Sequence, residues 1–442
     1  MEKVQPLTIP HLREYASDED KKCPNTRADG RKYANVLGPE DLVIAEIVRG
    51  PLGKKDKSLT GLLRAGPRAH TFFDPSITCA AIVTCGGLCP GLNDIIFHLF
   101  STLRNVYGVS KVYGVRGGWN GFHEDTGGAG IILLKPKDVE GIQYLGGTVL
   151  GTSRGGFDAD IIHDKLIKLG VNILFVVGGD GTHRGAGKLS EMFRDQREPV
   201  SVVGIPKTID NDVGMIDRSF GFQTAVDEAV RVIRSARTEA RSNVPNGIGV
   251  VKLMGRHAGY IAAHATLASG DVDLCLIPEL HFDLDASLRH ILAVLRKKGS
   301  AVVVIAEGAG ADVLLKRASA SQTDASGAQP ELPPIGPWFV DRLKAFVKER
   351  VPGGAVKYID PSYIIRSVPA NAADSLYCMM LSQNAVHASM AGYTGCSVGL
   401  CNNRIVLLPI TKVVEASPRT VNPRGRTIER LISITHQPRA SE

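Results

Sequence analysis

Ile173-Leu174-Phe175-Val176-Val177-Gly178-Gly179-Asp180-Gly181-Thr182 is an apolar run that stops in a glycine-rich turn carrying a single carboxylate. The run reads as a buried strand. The turn leads into a helix, where exposed backbone N–H groups suit phosphate oxygens. Asp180 among those amides would repel a phosphate unless a cation lay between them. The reading that follows is Mg²⁺ held by Asp180 against a polyphosphate. A second apolar strand, residues 202–205, ends in Pro206-Lys207-Thr208-Ile209-Asp210-Asn211-Asp212. Phosphoryl transfer needs a phosphate cradle, a metal and a carboxylate that takes the proton from the attacking hydroxyl. The two stretches together offer all three.

Working outward, further buried-strand runs fall at residues 79–84, 112–115, 249–253, 274–277 and 301–306. Between most of them lie segments with helical spacing of apolar residues, such as 94–106, 224–236 and 287–297. Strands alternating with helices predict a parallel, doubly wound sheet, with ligands beyond the carboxyl ends of the strands. Residues 1–75 are polar, broken by Pro and Gly and without sustained periodicity, and read as an N-terminal extension rather than a separate domain. Residues 317–336, rich in Ser, Ala, Gly and Pro, read as a surface insertion.

The chain has 442 residues, enough for one large or two medium domains. Its net charge of +7 is spread along the chain, with no basic stripe interleaved with aromatics, so nucleic acid is not the expected partner. No apolar run has the length of a membrane span. Eight cysteines without paired spacing point to free thiols in a reducing compartment. Cys85 with Cys89, and Cys396 with Cys401, find no matching pair to complete a zinc set. The N-terminus lacks an apolar signal core, is too acidic for an ordinary transit peptide, and leaves the cytoplasm as the expected location.

The order of motifs resembles the phosphofructokinase family, over about residues 78–410. Gly-Gly-Asp-Gly-Thr alone also occurs in NAD kinases and lipid kinases; the later motifs in sequence decide between them. Thr84-Cys85-Gly86-Gly87 with Pro90-Gly91-Leu92-Asn93 looks like the family's first glycine turn, with Gly86 at the nucleotide. Ser153-Arg154-Gly155-Gly156 looks like its nucleotide-contacting segment, which gives Arg154 and Gly155 that role. Gly179, Asp180, Gly181 and Thr182 look like the ATP and magnesium loop. Thr208-Ile209-Asp210 looks like the catalytic loop, with Asp210 as general base and Lys207 and Thr208 beside it. Met254-Gly255-Arg256 looks like the sugar-phosphate loop. Glu307 matches a sugar-hydroxyl contact, and Tyr363-Ile364-Ile365-Arg366 the segment whose arginine grips the 6-phosphate.

The resemblance implies ATP-dependent phosphorylation of fructose 6-phosphate at its 1-hydroxyl, the committed step of glycolysis. It also implies a homotetramer, or alternatively a homodimer. Effector sites in the family lie between subunits, and nothing in this sequence names an effector. The implied fold is α/β, with two doubly wound three-layer domains of mostly parallel sheet plus the N-terminal extension 1–75. Residues 76–221 with 365–415 would form the nucleotide-binding domain, and 222–364 with 416–442 the sugar-phosphate domain.

Gly181 and Lys207 point to different phosphoryl donors. Pyrophosphate users usually carry Asp where this chain has Gly181, and that carboxylate crowds the α-phosphate of ATP. Lys207, by contrast, is what pyrophosphate enzymes carry where simple bacterial ATP enzymes have Gly. The combination resembles the ATP-using plant and trypanosomatid branch, as does Ala65-Gly66-Pro67-Arg68. Two alternatives stay open: a pyrophosphate-dependent transferase and, remotely, a non-catalytic regulatory subunit. Tyr363 stands where bacterial members have His. Gly247 stands where many of them contribute an arginine across the subunit boundary, and Lys357 falls at a second such position. Asp212 reads either as a loop-orienting cap or as a participant, and His183 and His257 as packing or hydrogen-bonding residues.

Overall fold

The computed structural model of the protein describes residues 4–16, 23–24, 36–45, 59–123, 130–317 and 332–439. It divides into two compact units. The larger comprises Met1–Thr208, Val213–Gly221 and Val368–Ser417; the smaller comprises Ile209–Asp212, Phe222–Ser367 and Pro418–Glu442.

The larger unit is built on a ten-stranded sheet whose centre is parallel. Cys396–Cys401, Ser201–Pro206, Ile173–Gly178, Cys79–Thr84 and Lys111–Arg116 lie side by side in that order. Ile173–Gly178, Ser201–Pro206 and Cys79–Thr84 are buried along their whole length. Strands covered on both faces carry continuous apolar runs, which is why the sequence reveals them. One core face packs Val83, Leu174, Val176 and Val202 against Leu166, Leu189 and Phe193 from the covering helices. Helix Ala159–Lys168 starts where the Asp158 carboxylate accepts from the Asp160 and Ile161 amides. The segment read as a helix over 94–106 begins earlier, at Leu92, and from Thr102 to Tyr107 widens into a π-turn ended by Gly108.

Short strands hidden in the polar N-terminal stretch extend this sheet. Val4–Pro6 and Leu42–Ile44 both pair with Leu59–Arg64, which in turn pairs antiparallel with Arg404–Pro409. These three strands weave the extension into the sheet, while Cys23–Pro24 pairs with His70–Thr71 in a separate two-stranded ribbon. Arg404–Pro409 and Cys396–Cys401 form a hairpin through Asn402 and Asn403, both left-handed (φ +48° and +59°). Asparagine tolerates that conformation better than most residues, and it is what a tight hairpin turn requires. Most of the 317–336 insertion, residues 318–331, lies outside the described residues.

The smaller unit has a four-stranded, all-parallel sheet. Its order is Leu274–Leu276, Ser300–Ala306, Asn246–Leu253, Gly354–Ile359. Its core gathers Val250, Val303 and Ile305 with Phe339, Leu343, Ile291 and Leu295. The helices read at 224–236 and 287–297 run longer, as Phe222–Ser242 and Leu284–Lys298. The second is capped by Asp283 and ended by left-handed Gly299.

Two histidines of the larger unit are buried and held neutral. Burial lowers His183 to about 4, although backbone carbonyls of Gly179 and Gly178 partly oppose it. Burial, with Arg68 nearby, lowers His387 to about 4 as well. Because each folded pKa lies below the unfolded value, the unfolded chain binds the extra proton first. Their contribution to stability is whole above pH ~6.5 and falls as the pH drops towards ~4. Urea titrations at pH 7.5 and pH 5 should show a loss of about 2 kcal/mol for each histidine at the lower pH. Replacing His387 with Gln should remove its share; an unchanged slope would contradict the assignment.

Candidate active site

In the larger unit the sheet register aligns the carboxyl ends of three neighbouring strands. Gly178 pairs with Pro206, and Val177 with Thr84. The residues just beyond are tied by backbone bonds. Cys85 N donates to Val177 O (2.8 Å) and Lys207 N to Gly178 O (2.9 Å). Gly86 takes φ +87°, which a side chain would strain. Its amide donates to Ser153 O (2.9 Å) and its carbonyl accepts from Thr152 Oγ1 (2.7 Å). Those bonds seat Ser153, Arg154 and Gly155 on the first glycine turn. The Arg154 guanidinium lies 3.9 Å from where a Cβ on Gly87 would stand. Lys207 is buried, and its ammonium donates to Gly87 O (2.7 Å).

Asp180 opens the sixteen-residue helix Asp180–Asp195, whose N-cap is Gly179 and whose first turn no side chain caps. Such an end presents backbone N–H groups and the positive pole of the helix. Thr182 packs under Gly178, where a Cβ would meet its hydroxyl oxygen. Gly181 faces open space: a Cβ there meets nothing within 4 Å. The structure thus gathers Gly86, Arg154, Gly155, Gly179, Asp180, Gly181, Thr182 and Lys207 on the strand ends of one unit. Among the described residues no group of three or more His, Cys, Asp or Glu side chains forms a metal cage. A magnesium ion needs none, since it takes one or two carboxylates and fills its shell with water and phosphate oxygens. Asp180 beside the open space at Gly181 fits that donor set. His183 faces away from solvent, with Nε2 at 2.8 Å from Ser397 Oγ.

The chain passes between the units at Thr208. Its carbonyl accepts from Ser219 Oγ (2.6 Å) in the larger unit, and Ile209–Asp212 belong to the smaller. Ile209 is buried, as is Oδ1 of Asp210. In the smaller unit, three parallel strands again deliver candidate residues at their carboxyl ends. Met254, Gly255 and Arg256 follow Asn246–Leu253, Glu307 follows Ser300–Ala306, and Tyr363 and Arg366 follow Gly354–Ile359. Gly255 has φ +125°, and a Cβ would stand 2.6 Å from Ala258 O. Glu307 N donates to Leu253 O (2.9 Å) and Gly308 N to Gly255 O (3.1 Å). Arg366 donates to Ser362 O (3.3 Å) and stacks on the exposed Tyr363 ring, 5.0 Å from its centroid. Lys357 stands apart, exposed within its strand opposite Gly249.

Sequence reasoning missed Lys252. Its ammonium bonds Ser362 Oγ (2.9 Å) and Asp360 (3.1 Å to Oδ2), with Glu307 at 3.8 Å. It thereby joins all three strand ends. The available signal was a lone charge in the apolar run Gly249-Val250-Val251-Lys252-Leu253. Partial burial alone would raise the Asp360 carboxyl; hydrogen bonds from Ser362 and Lys252 outweigh it and hold the group below its usual range. Gly247 also gains a physical account. A Cβ there would lie 2.1 Å from Ala240 O, so no arginine can stand at that position without moving the backbone.

The phosphofructokinase family profile matches residues 79–389. The chain belongs to the phosphofructokinase family. It is 44% identical over 440 residues to the ATP-dependent 6-phosphofructokinase 7 of Arabidopsis thaliana, covering 97% of this chain and 88% of that protein. It is likewise 44% identical over 374 residues to the ATP-dependent 6-phosphofructokinase of Trypanosoma cruzi, covering 84% and 76% of the two chains. Among solved structures, the pyrophosphate-dependent phosphofructokinase of Marinobacter aquaeolei superposes with a TM-score of 0.66 at 19% identity, over 82% of this chain and 92% of that one. At that identity the likeness speaks for the fold alone.

Lys252→Met should lower stability by about 1–2 kcal/mol. A charge-assisted bond to a half-exposed Asp360 is worth less than a buried one. Urea denaturation measures it, and an unchanged midpoint would show that the network holds nothing together.

Proposed function

We propose that the chain transfers the γ-phosphoryl group of ATP to the 1-hydroxyl of fructose 6-phosphate, giving fructose 1,6-bisphosphate and ADP. The observation that carries this reading is the continuity of residues 207–210. A buried lysine on the phosphate-side glycine turn is followed, three residues on, by the carboxylate of Asp210 in the unit that bears the sugar-phosphate cluster. The hydroxyl oxygen attacks the γ-phosphorus, the bond to the bridging oxygen of ADP breaks, and Asp210 takes the hydroxyl proton. A positioned base of this kind is typically worth about 10²–10⁴-fold.

The remaining residues bind and orient. Gly86, Arg154, Gly155 and the amides from Gly179 to Thr182 would hold the polyphosphate, with Lys207 adding a fixed positive charge. Asp180 would hold magnesium, which when bound neutralises charge on the donor. Arg256 and Arg366 would grip the sugar 6-phosphate through charge-assisted bonds, and Glu307 would accept from a sugar hydroxyl. Thr208, Ile209, Met254 and Gly255 would shape the walls through their backbone, Tyr363 would line the 6-phosphate end beside Arg366, and Lys357 would act at a subunit boundary. Self-association as a homotetramer or homodimer fits the exposure of Tyr363 and Ile364 beside Arg366. No described helix is long and apolar enough to cross a membrane, and Cys79, Cys85, Cys275, Cys378 and Cys396 are buried free thiols. Those thiols support the proposal of the cytoplasm, a reducing compartment, as the site of action.

Pyrophosphate as donor is the second reading, favoured by Lys207. Gly181 and the 44% identity to ATP-dependent 6-phosphofructokinases favour ATP. A regulatory subunit without catalysis would be expected to lose Asp180 or Asp210, and both are present.

Asp210→Asn should lower kcat by about 10²–10⁴-fold while sparing fructose 6-phosphate binding. A coupled assay and calorimetry measure the two quantities; near-normal turnover would remove Asp210 from the reaction. Gly181→Asp should fold normally, since its Cβ enters open space. It should raise the KM for ATP by about tenfold or more through like-charge repulsion. A KM unchanged in steady-state assays would mean that Gly181 does not set donor choice.

A further inference from the structure

The C-terminal segment that follows the larger unit's last residue, Ser417, crosses the base loop. Arg419 lies beyond residue 389, where the family profile ends. Its backbone N–H donates to Asp212 O (2.7 Å) and its Nε–H donates to Asn211 O (2.9 Å). Two successive carbonyls immediately after Asp210 are therefore held by one residue. Asn211 sits at φ +58°, a left-handed conformation that asparagine tolerates, so the loop turns sharply here and its carbonyl is directed at Arg419.

The same residue reaches the sugar side of the smaller unit. The Arg419 guanidinium lies over the Tyr260 ring, 5.3 Å from its centroid. The Tyr260 hydroxyl donates to Thr420 O (2.8 Å). Val421 N donates to Glu279 Oε1 (2.8 Å), and the Glu279 carboxylate also accepts from Gly259 N (3.0 and 3.1 Å). Gly259 and Tyr260 close the loop that begins at Met254. Residues 419–421 thus form a strap with the base loop bound to one end and the sugar-phosphate loop to the other.

We infer that Arg419 is a positioning residue that fixes the Asp210 carboxylate relative to the loop carrying Arg256, an assignment that rests on Asp210 being the base. Its role lies in geometry rather than in contact with substrate. Removing the guanidinium releases the Asn211 carbonyl and the Tyr260 ring together, and small misplacements of a reacting group can cost up to about 10²-fold in rate.

The test uses the full-length protein. Arg419→Met should lower kcat by about tenfold or more while the KM values for ATP and fructose 6-phosphate stay within about threefold. Arg426→Met, on an exposed residue of the following helix, should behave as the unaltered protein. In an Asp210→Asn background, Arg419→Met should produce no further loss, because the two act through one carboxylate. Should Arg419→Met fail to fold, Arg419→Lys decides. An ammonium stacked on Tyr260 lacks the Nε–H that donates to Asn211 O, so kcat should still drop by about threefold. The inference is overturned by a folded Arg419→Met or Arg419→Lys with unaltered kcat. An equal further loss in the Asp210→Asn background would also overturn it. Normal turnover by Asp210→Asn alone would instead bring down the base assignment itself, which keeps the two failures apart.

Discussion

The buried ammonium of Lys207 is the constraint on which the phosphate side of the molecule depends. A buried charge is costly unless it is hydrogen-bonded. Here the Gly87 carbonyl accepts from it, while the Lys207 amide is bonded to Gly178. Gly86, at φ +87°, leaves the ammonium its room, since a Cβ there would be strained and would stand 3.2 Å from it. The first glycine turn, the end of the strand before Asp180 and the start of the base loop are thereby fixed to one residue. Thr208 follows directly, anchored by Ser219, and Asp210 comes two residues later. The chain that leads towards Asp210 therefore leaves the larger unit from a residue held at both its backbone and its side chain.

The parts of this arrangement that the sequence displayed are those where burial is uniform. Ile173–Gly178, Ser201–Pro206 and Ser300–Ala306 are buried on both faces and so appear as unbroken apolar runs. The turns after them carry glycine and acidic residues that few other roles demand, which made the candidate site readable. Edge elements were not readable in this way. Gly354–Ile359 is only partly buried, and polar surroundings hide the N-terminal edge, where Val4–Pro6 and Leu42–Ile44 are three residues each and leave no period to detect. The hairpin pair Asn402 and Asn403 was an available turn signal that went unread.

Residues that act through distant partners were hidden for a different reason. Lys252 meets Asp360 and Ser362 more than a hundred residues away, and Arg419 meets Asn211 across more than two hundred. Neither stands in a local pattern. Gly247 is the converse case. Its sequence signal was the absence of an arginine, and the structure supplies the cause in the close approach of the Ala240 carbonyl.

The central claim is that this chain is a kinase that uses ATP, even though Lys207 is a feature it shares with pyrophosphate enzymes. The open space at Gly181 and the engagement of the Lys207 ammonium by Gly87 are compatible, because the lysine charge is tied to the turn and the room for a longer donor is left at the helix end. The most direct measurement is the initial rate of the unaltered protein with fructose 6-phosphate and Mg²⁺, with ATP or pyrophosphate as the donor. The account predicts turnover with ATP and none above background with pyrophosphate. Turnover with pyrophosphate alone would contradict it and assign donor choice to Lys207.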